Sequence, residues 1–222
     1  MGARLCYLIL GITGIIAVLQ RDAASAASLC GNADPDTSIL YCTDVIQSAA
    51  TGPHTLSLAY TNRGSAYAKK GLYARAIEDY GQALKHDPRN AGAYNNRCYA
   101  LGQLGKLGDA LLDCEISLKL SPNDPSILDS RGFIYLRMGR YADAIRDYDD
   151  ALRISPNLAA SLYGRGVAKL KLGDAKAAKL DLTAAKAIDS NVAFDMAVSG
   201  IVVNMAASDS AAGEEDETNL RH

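Results

Sequence analysis

A set of columns that recurs every 34 residues constrains this 222-residue chain more than any other feature. Arg63-Gly64, Arg97-Cys98, Arg131-Gly132 and Arg165-Gly166 are successive copies of one position. Gly71, Gly105, Gly139 and Gly173 form a second column, and Ala76, Ala110, Ala144 and Ala178 a third. Tyr80, Cys114, Tyr148 and Leu182 share a fourth, Ala83, Ser117, Ala151 and Ala185 a fifth, and Pro88, Pro122, Pro156 and Ser190 a sixth. A period of this length means stacked units that cannot bury their apolar faces alone.

Each column has a physical reason. The Gly at 71, 105, 139 and 173 suits a left-handed residue closing a first helix. The small residue after each Arg, with the Ala column, lets two antiparallel helices approach closely. The aromatic column fills the space where one hairpin meets the next, and Pro stops the second helix. Ala76, Ile77, Tyr80, Ala83 and Leu84 recur at helical spacing, as an amphipathic helix requires. Composition agrees: there is no Trp, Phe occurs twice and Tyr twelve times, so a conventional core of large aromatics is not expected and Tyr is the dominant aromatic.

The pattern extends beyond the four copies. Ser38 to Ile46 aligns with Ala76 to Leu84, with Cys42 in the aromatic column. This predicts a helix over 36–49 as half a repeat, followed by a turn at Thr51-Gly52-Pro53-His54. Residues 191–207 read as a final helix covering the exposed apolar side. Ser208 to His222, with Asp209, Glu214, Glu215, Asp216 and Glu217 against Arg221, reads as a disordered acidic tail.

The start of the chain reads as a secretory signal over residues 1–26: Arg4, an apolar run from Leu5 to Leu19, then small residues from Ala23 to Ser28. The alternative is an uncleaved membrane anchor at 5–19, although about twenty residues are needed to span a bilayer. Leu29 before Cys30 argues against lipid attachment. Of five cysteines, Cys6 would leave with the leader, and Cys30, Cys42, Cys98 and Cys114 remain as an even set for an oxidising compartment. A net charge of −2 gives no whole-chain case for nucleic acid.

The columns resemble the tetratricopeptide repeat (TPR) family, in an exported, bacterial-type member, over about residues 57–192. The resemblance implies an all-α solenoid of helix–turn–helix repeats in a right-handed superhelical array. Its repeats fall at 57–90, 91–124, 125–158 and 159–192, after an N-terminal segment at 27–56. The fourth departs at Leu182 and Ser190, as capping repeats do.

Folding each hairpin back on itself brings two sets of positions together. Arg63, Arg97, Arg131 and Arg165 meet Asp79, Asp113, Asp147 and Asp181, sixteen residues later in each copy. These are expected to be structural ion pairs; the alternative is a row of guanidinium groups that binds an acidic partner. Cys98 and Cys114 face each other in the same way, leaving Cys30 with Cys42 as a second disulfide. The alternatives are buried thiols or a metal site, and His54, His86 and His222 lack ligand spacing to a Cys pair.

By position in the family, first helices line a concave groove. Here that face would present Thr61, Asn62, Ser65 and Lys69; Asn95, Asn96, Tyr99 and Gln103; Asp129, Phe133 and Arg137; and Tyr163, Val167 and Lys171. Asn62 and Asn96 would grip a peptide backbone, and Lys69, Arg137 and Lys171 would favour carboxylates. The bland alternative is a solvated face. The full Lys and Asn set of the chaperone-type carboxylate clamp is missing.

No catalytic triad, phosphate loop or paired-His motif occurs. The expectation is a non-enzymatic periplasmic or secreted scaffold or adaptor, without cofactor or metal. It would be a monomer or part of a complex, holding a protein or peptide. It would contact no nucleic acid, and a membrane only through an uncleaved leader. The second expectation is a non-catalytic subunit of an envelope or polysaccharide-handling enzyme complex.

Overall fold

The computed structural model describes residues 29–31, 33–48 and 51–203. The leader at 1–26, the tail at 208–222 and residues 204–207 lie outside them. Among the described residues all regular structure is helical, and the chain divides into two compact units, Met1–Leu120 and Ser121–His222.

The first unit holds α1 (Pro35–Gln47), α2 (Pro53–Lys69), α3 (Tyr73–His86), α4 (Ala91–Gln103) and α5 (Leu107–Leu120). The second holds α6 (Pro125–Arg137), α7 (Tyr141–Ile154), α8 (Ala159–Lys171), α9 (Ala175–Ile188) and α10 (Val192–Val198). Four helical hairpins result: α2–α3 and α4–α5 in the first unit, α6–α7 and α8–α9 in the second.

Each hairpin turns on the Gly column. Gly71, Gly105, Gly139 and Gly173 have φ between 73° and 89°, a conformation cheap only without a Cβ. The turn closes by a paired hydrogen-bond pattern: Leu72 N donates to Tyr67 O at 2.9 Å and Gly71 N to Ala68 O at 2.9 Å. The same two bonds recur in the other three hairpins and satisfy carbonyls that the helix end would otherwise leave open.

The small column exists because the aromatic column lies against it. A Cβ placed on Gly64 would meet the Tyr80 ring at 2.7 Å, and one on Gly132 would meet Tyr148 at 2.8 Å. Tyr80 and Tyr148 are each 1% exposed, and all four residues of the Ala column are buried. Tyr148 also reaches the next hairpin, where a Cβ on Gly164 would collide with its ring. One ring therefore locks two hairpins together. In the second hairpin the Gly–Tyr pair is replaced by Cys98 and Cys114, both fully buried and joined by a disulfide.

Two boundaries differ from the sequence expectation. Pro53 opens α2 instead of sitting in a turn, because the first helical position needs no N–H and proline's fixed φ suits it. The closing helix is α10 alone and ends at Val198. Gly200, at φ 80°, stops it with the same turn chemistry as the hairpins: Ile201 N donates to Met196 O at 2.9 Å. The Ser199-Gly200 stop signal is present in the sequence, inside the span expected to be continuous helix.

Candidate functional site

The Arg column is occupied internally. Arg63 Nε and Nη2 each donate to a different oxygen of Asp79 at 2.8 Å. Arg97 makes the same fork on Asp113 at 2.6 and 2.8 Å, Arg131 on Asp147 at 2.7 Å twice, and Arg165 on Asp181 at 2.8 and 2.7 Å. The carboxylates are 7–9% exposed and the arginine side chains 17–25%. Two-pronged geometry at this depth makes strong, oriented pairs. The hydrogen bond to Asp79 raises the Arg63 pKa against the opposing effect of burial, and Asp113 acts likewise on Arg97. At Asp181 burial pushes the carboxyl up, but Arg165 and Lys169 together outweigh it and hold the group below its ordinary value.

The guanidinium groups have further neighbours. Arg63 Nη1 donates to Thr43 Oγ1 of α1 at 3.0 Å, and Arg165 Nη1 to Asp149 of α7 at 2.7 Å. Arg63 lies over Tyr60, Arg97 over Tyr94 and Arg131 over Tyr135, at 5.5–5.7 Å from each ring centre. A partner would have to displace these contacts to reach the charge.

The residues expected to line a groove divide into three groups. Lys69, Tyr99 and Lys171 are exposed and Gln103 is half-buried, and Tyr99 and Gln103 also have contacts within the chain. A second group makes defined side-chain hydrogen bonds within the chain. Asn62 Nδ2 donates to Cys30 O at 2.9 Å and so clamps the Cys30–Cys42 disulfide loop. Asn96 Nδ2 donates to Ser65 Oγ at 3.2 Å, and that oxygen also accepts from Tyr80 Oη at 3.3 Å. Arg137 Nη1 donates to Ser199 O at 2.9 Å and lies over the Phe133 ring.

The third group corrects the sequence expectation. Phe133 at 4%, Tyr163 at 7% and Val167 at 3% exposure are core residues, not contacts presented to a partner. Each is apolar or aromatic at a first-helix position, where burying it gains more than exposing it. Thr61 is similarly buried, donating to Ser57 O at 2.8 Å and accepting from Asn90 Nδ2 at 3.2 Å.

Asp129 occupies the α6 position that Asn95 has in α4. Ser161 Oγ donates to it, and burial pushes its carboxyl up to about 6 against the lowering effect of that hydrogen bond. Beside it the Tyr148 hydroxyl is buried without a hydrogen-bond partner among the described residues. Tyr148 is raised well above the ordinary tyrosine value by burial first, then by the charge of Asp129. In the first unit, by contrast, Tyr80 has Ser65 as partner.

Sequence reasoning does not find a cleft of about 570 Å³ in the second unit, lined by Tyr163, Leu182, Thr183, Lys186, Ala187, Ala193 and Val203. One signal is available. Leu182 stands in the column that holds Tyr80 and Tyr148, so less of that space is filled.

Among the described residues no group of three or more His, Cys, Asp or Glu side chains could hold a metal ion. No described helix is long and apolar enough to cross a membrane.

Four hairpins of common geometry, two in each unit, define a helical-hairpin repeat protein of the solenoid class. The repeats themselves match known family models: Tetratricopeptide repeat over residues 57–90 and TPR repeat over 132–173. The chain therefore carries tetratricopeptide repeats in both units. No curated protein matches it. Solved structures do. The first TPR domain of Spaghetti (RPAP3), bound to the HSP90 peptide SRMEEVD, is 25% identical with a TM-score of 0.52, over 54% of this chain and 95% of that one. The first TPR domain of human RPAP3 is 27% identical with a TM-score of 0.53, over 55% and 95%. MamA from AMB-1, at 18% identity and a TM-score of 0.61 over 77% and 98%, shares the fold.

Proposed function

We propose that this chain is an exported, non-catalytic scaffold that holds a protein or peptide partner on the first-helix faces of its repeats. One observation carries the reading. The repeated arginines are consumed by their own carboxylates, whereas Lys69, Tyr99 and Lys171 remain exposed on α2, α4 and α8. An exposed lysine and aromatic in the first unit, and an exposed lysine in the second, each suit a segment bearing carboxylates. A similar TPR domain was solved with the acidic peptide SRMEEVD, which supports a peptide ligand of this kind. The chaperone clamp is not carried over, because Thr61 and Asn62 are engaged within the chain.

Export is supported by the leader at 1–26 and by two disulfides, which persist in oxidising compartments. The periplasm or the extracellular space is the site of action under this reading.

The test is photo-crosslinking in cells. A photoreactive phenylalanine analogue replaces Tyr99 or Lys171, and as controls Leu112 or Arg153 on second helices. Protein adducts are expected at 99 and 171 and not at the controls. Equal adducts from both sets would refute binding on the first-helix faces. Adducts with a glycan-handling enzyme would assign the chain as a subunit of that complex.

A further inference from the structure

The cleft of the second unit opens where the repeat array ends. It lies between α8, α9 and α10, with Tyr163, Leu182, Thr183, Lys186, Ala193 and Val203 along its walls. On α10 and the residues after it, Phe194, Val198 and Val202 are 71%, 68% and 68% exposed. In a longer array the first helix of another repeat would cover this end. Here the seven-residue α10 covers only part of it.

We infer that the chain's own C-terminal segment, residues 204–217, docks in this cleft, placing its acidic residues on the lysines of α9. Val203 is a wall of the cleft, so the segment leaves from the rim, and after Asn204 come the apolar side chains of Met205, Ala206 and Ala207.

Residues 159–192 carry six basic groups (Arg165, Lys169, Lys171, Lys176, Lys179, Lys186) and three acidic ones (Asp174, Asp181, Asp189), a balance of +3. Residues 204–222 carry five acidic groups (Asp209, Glu214, Glu215, Asp216, Glu217) and one arginine, a balance of −4. Lys186 lines the cleft, and Lys179 lies seven residues earlier on the same face of α9. Among the described residues neither lysine has an ion-pair partner.

From Val203 to Glu214 an extended chain spans up to about 35 Å, whereas Lys179 and Lys186 are about 10 Å apart along the helix. Tethering at the rim makes the contact intramolecular, so modest attraction suffices. The docked segment would cover the wall formed by Tyr163.

The experiment uses the full chain without any partner, so its outcome is independent of the first-helix reading. An equal mixture of unlabelled and nitrogen-15-labelled chains is treated with a zero-length carbodiimide and mapped by mass spectrometry. The expected products join Lys179 or Lys186 to the 214–217 carboxylates within one isotope class. Their yield should fall about fivefold from low salt to about 1 M salt. In the second measurement E214Q/E215Q/D216N/E217Q should speed amide hydrogen exchange at Thr183–Ala187 by about threefold or more. Mixed-isotope products would mean that a second copy fills the cleft and would overturn the inference. Tail crosslinks spread evenly over Lys70, Lys106 and Lys119, an absence of tail crosslinks, or unchanged exchange would overturn it as well.

Discussion

Replacing Asp129 by Asn tests the electrostatics of the second unit. The carboxyl sits at about 6 in the folded chain against an ordinary value of 3.8, because burial opposes its charge and only the Ser161 hydroxyl offsets that. The sign follows from proton binding. Between pH 4 and 6 the folded form holds the proton that the unfolded form has released, so stability falls as pH rises through this window. The loss is complete above pH 6. The gap between the folded and ordinary values, at about 1.4 kcal/mol per pH unit, gives an upper bound of about 3 kcal/mol. Because Asp129 keeps some exposure, about 1–3 kcal/mol is expected. Asn keeps an acceptor for Ser161 and carries no charge. D129N should therefore match the parent chain near pH 4 and exceed it by that amount at pH 7.5. Urea unfolding followed by circular dichroism across this range measures the difference. Asp181, whose lowered pKa contributes stability that is lost as pH falls, is common to both chains and cancels. A difference that does not change with pH, or a less stable variant at pH 7.5, would refute the reasoning.

Further perturbations follow from the same packing. Tyr80→Phe should cost about 0.5–1 kcal/mol through its bond to Ser65, whereas Tyr148→Phe should be neutral or stabilising because its hydroxyl has no hydrogen-bond partner among the described residues; thermal melts compare them. Cys114→Tyr alone should clash with Cys98, while C98G/C114Y restores the Gly–Tyr pair of the first and third hairpins. The double variant should be more stable than C114Y in urea, yet fall short of the parent by up to the roughly 3 kcal/mol of the lost disulfide. Reducing both disulfides should lower the melting temperature of the first unit, which holds them, more than that of the second.

The 34-residue columns carried the fold, because turn glycines, helix-facing alanines and stacked tyrosines are each demanded locally. Positions sixteen residues apart across a hairpin could be paired from spacing alone, and the structure brings Arg63 to Asp79 and Cys98 to Cys114. The partner face was much less legible. Register says which side of a helix a residue lies on, but not what a neighbouring segment has already covered. Asn62 meets the Cys30 loop, and Phe133 and Tyr163 sink into the core, through contacts that depend on depth and on the preceding or following helix. The cleft at Leu182 escapes notice because a single smaller side chain reads as ordinary variation until its surroundings are seen.

The claim that the arginine column braces the hairpins and leaves partner binding to other residues is tested most directly by a double-mutant cycle at Arg131 and Asp147. Stabilities of the parent, R131M, D147N and R131M/D147N chains are measured by urea unfolding. Either single change strands a charge or a dipole in a pair whose carboxylate is 7% exposed, so each should cost about 2–4 kcal/mol. The double change should cost much less than the sum, giving a coupling of at least about 1.5 kcal/mol. A coupling near zero would mean that the two side chains do not depend on each other, and would return the arginines to the surface available to a partner.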